Sequence, residues 1–107
     1  MNKGGIMEEK LLKIINHYEV LPQLKYFQSE IFEMNEAIIK YENIPNGIYE
    51  HIKNEYKEHI AEEIADVEVM LLQLKEYYHI DGNDILKIMN EKIDRQLERI
   101  KNENIKQ

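Results

Sequence analysis

An all-α fold, a helical bundle of about four helices with a long central helix and completed by homodimerisation, is what this sequence predicts, and three observations carry it. Apolar residues recur at alternating steps of four and three along Ile60, Ile64, Val67, Leu71, Leu74 and Tyr78, a helical and not a strand period. Two prolines and four glycines among 107 residues leave few interior breaks. Glu, Lys, Ile and Leu are abundant, as in helical chains.

Residues 1–5 read as a flexible lead, with Gly4 and Gly5 before the first periodic segment. From Ile6 to Tyr18, the positions Leu11, Leu12, Ile14, Ile15 and Tyr18 define a first helix. Val20, Leu21 and Pro22 interrupt it, and Pro22 suits the first turn of a second helix, where its missing N–H costs nothing. That helix carries Leu24, Phe27, Ile31, Met34 and Ile38 and runs to about Tyr41. The segment ENIPNG, Glu42 to Gly47, combines Pro45 with an Asn-Gly pair and is the strongest reversal signal in the chain. The third helix is expected from near Ile48 to Tyr78, on the order of 45 Å if the polar stretch His51 to Lys57 does not break it. Val69 and Leu72 add a second apolar strip, and this strip together with the helix length favours a homodimer. HIDGND, His79 to Asp84, is the next turn, with Asn83 or Asp84 as the expected cap of a last helix. That helix carries Leu86, Met89, Ile93, Leu97 and Ile100. A single domain is expected over 6–101, with the tail 102–107 fraying.

The same composition excludes several classes of function. With no cysteine, disulfides and thiolate metal sites are ruled out, so any metal is bound by oxygen or imidazole. A formal charge of -7 opposes nonspecific binding to nucleic acid or anionic membrane, because phosphates are repelled overall. The longest apolar run, VMLL, is far short of a bilayer span, and the acidic start MNKGGIMEEK does not fit a signal peptide. A soluble cytoplasmic protein is the expectation. His17, His51, His59 and His79 form no i, i+4 pair, so the zinc helix motif is absent and they read as surface or turn residues. The tyrosines lie mostly at core or margin spacing, with packing as the role expected of most.

The second helix holds Glu30, Glu33 and Glu36 at successive steps of three, and the third holds Glu63 and Asp66. In an antiparallel pair of neighbouring helices, four such carboxylates converge on one volume. Like charges about 4 Å apart repel by about 4 kcal/mol at an effective dielectric of 20, so the cluster must be split, protonated or bridged by cations. Hard oxygen donors suit Mg²⁺ or Mn²⁺, which in turn bind phosphates. Among 21 acidic residues any single pair is ordinarily a solvated face, so the weight rests on the joint arrangement.

The run QLKYFQSEIFEMNEAI, followed after the turn by EEIADVEVML, resembles the MazG-like family of all-α nucleoside triphosphate pyrophosphohydrolases. That pattern is Glu-x-x-Glu on one helix and Glu-x-x-Asp on the next, with a Gln upstream. It falls here on Glu30 and Glu33, on Glu63 and Asp66, and on Gln23. MNEKIDRQLERI is similar to the family's closing helix, and its Asn90, Lys92 and Arg95 match residues that the resemblance places near substrate phosphates. The resemblance covers about Gln23 to Arg99. The chain departs from it at Ser29, where the family often has a second acid, and in the length between the acidic pairs. The longer segment leaves the helix register open, with Glu36 as the substitute for Glu30 in the cluster.

The resemblance implies a nucleoside triphosphate substrate, Mg²⁺ held by Glu30, Glu33, Glu63 and Asp66, and release of pyrophosphate and a nucleoside monophosphate. It also implies a homodimer or tetramer. Gln23, Asn90, Lys92 and Arg95 would bind the substrate. Lys92 and Arg95 read equally as exposed partners of Glu91, Asp94 or Glu98. Two alternatives remain beside this reading: a noncatalytic helical dimer that binds a partner, and an enzyme acting on phosphoribosyl-ATP.

Overall fold

A computed structural model of the chain describes residues 5–47 and 50–106. Among the described residues there are four α-helices and no strand: α1 (Gly5–Tyr18), α2 (Val20–Glu42), α3 (Glu50–Tyr77) and α4 (Gly82–Lys106). They divide into two units, one ending at Tyr77 and containing α1–α3, the other starting at Tyr78 and containing α4. In the first unit α2 packs along α3 and α1 packs on both.

The boundaries follow local chemistry. Glu19 alone separates α1 from α2, so the break comes one residue earlier than the expected Val20–Pro22 interruption. Pro22 lies in the first turn of α2, where no helical partner is lost. Glu19 takes φ 70 and ψ 154, a region that L side chains resist, and its side chain makes no capping hydrogen bond. The ENIPNG reversal forms as expected. Asn43 N donates to Ile39 O at 3.1 Å, Gly47 adopts φ 90, and Lys53 Nζ reaches back to Asn46 Oδ1 at 2.6 Å while lying 5.0 Å from the Tyr41 ring centroid. The expected start at Ile48 falls outside the described residues. From Glu50 the helix is unbroken through His51–Lys57 and extends about 42 Å at 1.5 Å per residue over its 28 residues.

In the second unit the helix begins at Gly82, so its cap is Asp81 and not Asn83 or Asp84. Asp81 Oδ1 accepts from Asn83 N at 2.8 Å, and its carbonyl oxygen accepts from Ile85 N at 3.2 Å. The helix runs to Lys106, through the described part of the tail expected to fray.

The interior of the first unit departs from the predicted stripes. Leu11 and Ile15 of α1, Ala37 of α2 and Met70 of α3 are buried, and with them Gln23, Glu30, Glu63 and Gln73. Ile64 and Leu71, central to the predicted stripe of α3, are 41 % and 51 % exposed, and the second strip is also open at Val69. On α2, Phe27, Ile31 and Met34 are half-buried flanks around the buried line Gln23, Glu30, Ala37. The reason is rotational: Gln23, Glu30, Glu63 and Gln73 share the buried inner line of α2 and α3 with Ala37 and Met70, and the larger apolar residues flank it. The tyrosines are displaced in the same way, with Tyr18, Tyr26, Tyr56, Tyr77 and Tyr78 exposed rather than in the core, while Tyr49 lies outside the described residues.

Candidate metal centre

Helices α2 and α3 run antiparallel, so residues one turn apart on each meet residues one turn apart on the other. This brings Glu30, Glu33 and Glu63 together, with one carboxylate oxygen of each lying within 4.8 Å of the others. Glu30 and Glu63 are buried and Glu33 is exposed, giving the group two inner carboxylates and one at the solvent edge.

Within this group Glu30 and Glu63 each have one carboxylate oxygen, Oε2, buried without a hydrogen-bond partner. A buried carboxylate oxygen with no donor is costly and rare in folded proteins, so a pair of them facing a third carboxylate calls for a cation or a proton. The donors are oxygen only, a set suited to a hard divalent ion.

Asp66 lies outside this mutually close trio but next to it, sharing a hydrogen bond with Glu30. Tyr26, one turn before Glu30, hydrogen-bonds to the same carboxyl group. That bond favours the ionised form of Glu30, but burial, the shared hydrogen bond with Asp66 and the charges of Asp66 and Glu33 outweigh it, so its acidity is weakened. The reciprocal effect on Tyr26 is large: the bond to Glu30, then partial desolvation and the neighbouring carboxylates, push its hydroxyl up to about 12.

Glu36 is exposed and outside the trio, so Glu30 and not Glu36 completes the group. Glu36 instead lines a neighbouring cavity of about 370 Å³ with Glu33, Ala37, Lys40, His59 and Glu63. His59 Nε2 is 3.6 Å from Glu63 Oε1, and His59 Nδ1 is 3.9 Å from Glu62 Oε2.

Gln23 does not reach the carboxylates. It is buried two turns before Glu30, where its Nε2 donates to Gln73 Oε1 at 3.0 Å and contacts Met70 Sδ at 3.6 Å. The amide pair lines a second cavity, of about 510 Å³, with Ile14, Tyr18, Pro22 and Tyr26. Tyr26 joins this cavity to Glu30.

Asn90, Lys92 and Arg95 belong to the second unit, and all three are exposed on α4. Lys92 and Arg95 share one face with Gln96 and Arg99, lining a shallow basic cleft of about 120 Å³.

The sequence reading gave Tyr26 a packing role and His59 a surface one and passed over Lys40 and Gln73, although three of the four had a signal in their spacing. Tyr26 and His59 each precede a cluster carboxylate by one helical turn, and Gln73 interrupts an otherwise apolar run. Compared with protein-family models, with characterised proteins and with solved structures, the chain matches none.

Proposed function

We propose that the chain is a Mg²⁺-dependent nucleoside triphosphate pyrophosphohydrolase, converting a nucleoside triphosphate and water to a nucleoside monophosphate and pyrophosphate. The observation that carries this reading is the grouping of Glu30, Glu33 and Glu63 carboxylates within 4.8 Å, with one oxygen each of Glu30 and Glu63 buried and unpartnered. The order of these acids along α2 and α3 is the one in which the chain resembles the MazG-like family.

Glu30, Glu33 and Glu63 would hold the ion, with Asp66 beside them. When bound, Mg²⁺ or Mn²⁺ supplies positive charge against the phosphate oxygens. Water adds at the α-phosphorus, the α–β bridging oxygen departs with pyrophosphate, and Asp66, next to the trio, accepts the proton of the attacking water. Tyr26 orients the Glu30 carboxyl group through its hydrogen bond. The cavity bounded by Tyr18, Tyr26, Gln23 and Gln73 takes the base, whose planar face suits the rings and whose polar edge suits the amides. The resemblance assigns Asn90, Lys92 and Arg95 to the phosphates, and the basic face of α4 has the charge for it.

A homodimer forms part of the proposal. Half-exposed apolar residues persist on α3 at Ile64, Val69 and Leu71 and along α4 at Leu86, Met89, Ile93, Leu97 and Ile100, area that association would cover.

Pyrophosphate release from a panel of nucleoside triphosphates with Mg²⁺ tests the activity. Glu63→Gln and Asp66→Asn should each abolish release while leaving helical circular dichroism unchanged. Wild-type rates in both variants would remove the assignment.

A further inference from the structure

The two cavities beside the carboxylates lie on opposite sides of Glu30 along α2. The larger draws Pro22, Gln23 and Tyr26 from that helix, and the other draws Glu33, Glu36, Ala37 and Lys40. Their chemistry differs. The first offers rings and a buried amide pair, while the second has carboxylates on one wall and nitrogen donors from Lys40 and His59.

Lys40 is not committed elsewhere, and His59 has only loose contacts with two carboxylates. Lys40 follows Glu36 by four residues, the order that favours an ion pair on a helix, yet it makes no ion pair or hydrogen bond among the described residues. The ring nitrogens of His59 stand 3.6 and 3.9 Å from Glu63 and Glu62, beyond hydrogen-bond length, so its N–H is available in either tautomer. A ligand matching this cavity must offer oxygens to both divalent ions and direct N–H donors. A phosphate chain does so with several charged oxygens at once, more than the one or two neutral carbonyl oxygens of a nucleobase.

We infer that the cavity between Lys40 and His59 seats the pyrophosphate end of the substrate, with Lys40 Nζ and a His59 ring N–H donating to its distal phosphate oxygens. The substrate is therefore held with its base toward Gln23 and Gln73 and its terminal phosphates toward the α2–α3 reversal. This rests on the hydrolase reading and adds to it a direction and two binding residues that lie outside the family pattern.

Inorganic pyrophosphate in the presence of Mg²⁺ is the probe, titrated calorimetrically into the full chain and into Lys40→Met, His59→Gln and the double variant. Each single change should weaken binding about tenfold and the double about a hundredfold, the loss expected for one charge-assisted hydrogen bond apiece. Inhibition by nucleoside monophosphate and the Mg²⁺-induced rise in Tm should keep their wild-type values, which also checks the fold. Pyrophosphate that binds the double variant as tightly as wild type, or a monophosphate weakened by the same factor, overturns the inference. If wild-type chain neither hydrolyses nucleotides nor gains Tm with Mg²⁺, the hydrolase reading fails separately. Pyrophosphate binding that still depends on Lys40 and His59 would then support the anion cavity, and its absence would overturn that too.

Discussion

Replacing Glu30 by Gln should make the metal-free protein more stable and the metal-bound protein less responsive. Glu30 is buried, and burial with the nearby charges of Asp66 and Glu33 raises its pKa above the ordinary 4.5 despite the opposing bond from Tyr26. A carboxyl group whose folded pKa lies above its unfolded one favours the fold fully at acid pH, and that contribution is lost as pH rises through the folded value. The wild-type carboxyl meets this repulsion once ionised, whereas the amide never does. Two unit charges at the 4.8 Å limit within which these oxygens lie repel by about 3.5 kcal/mol at an effective dielectric of 20. Glu33 is exposed, and solvent screening cuts this to roughly 2 kcal/mol. For a domain of this size that corresponds to a Tm higher by roughly 10 °C. The advantage should grow from about pH 4.5 toward neutrality.

Mg²⁺ reverses the comparison. At a hundred times Kd, ligand linkage adds about 2.7 kcal/mol to wild type, while the variant has lost an inner ligand charge and gains far less. Thermal unfolding followed by circular dichroism, in chelator and in Mg²⁺ between pH 4 and 8, reads both effects. A Glu30→Gln chain no more stable than wild type in chelator at pH 7, and equally stabilised by Mg²⁺, would refute a strained carboxylate group awaiting a cation.

The remaining predictions concern the surroundings of the site. Gln73→Ala leaves the Gln23 amide buried without its partner and should cost about 2 kcal/mol in urea denaturation, whereas Leu at both positions should recover most of it. Glu19→Gly removes the resistance of a side chain to φ 70 and ψ 154 and should raise the unfolding free energy by about 1 kcal/mol, a gain that Glu19→Ala should not show.

Helix content and the reversals were legible because they depend on local spacing. The 3.6 period places α1 to α4 within a few residues, and Asn46-Gly47 and Asp81-Gly82 turn the chain where expected. The buried face was not legible, since a hydropathy stripe assigns Ile64 and Leu71 to the core and Glu30 and Glu63 to its margin, the reverse of the observed order. Hydropathy records the free energy of an isolated side chain, and here the inner line of α2 and α3 is set by carboxylates gathered around one another. Glu30, Glu33 and Glu63 were therefore found by chemistry and order along the chain. Gln23 was selected with them but is joined to Gln73, fifty residues away, a pairing that no local pattern encodes.

That amide pair has a mechanical consequence. The buried positions of α2 repeat every seven residues at Gln23, Glu30 and Ala37, and two of the three on α3, Glu63 and Met70, share that spacing, with Gln73 beside them. Two helices with matching repeats can slip by two turns and bury much the same faces. Slipped one way, Glu30 would meet Met70 and Glu63 would meet Ala37, and no three carboxylates would face one another. Gln23 against Gln73 and Met70 is the latch that forbids this sliding, because a displaced amide would be sealed from water with nothing to bond. A neutral contact about 10 Å along the helix thus keeps the acids in line.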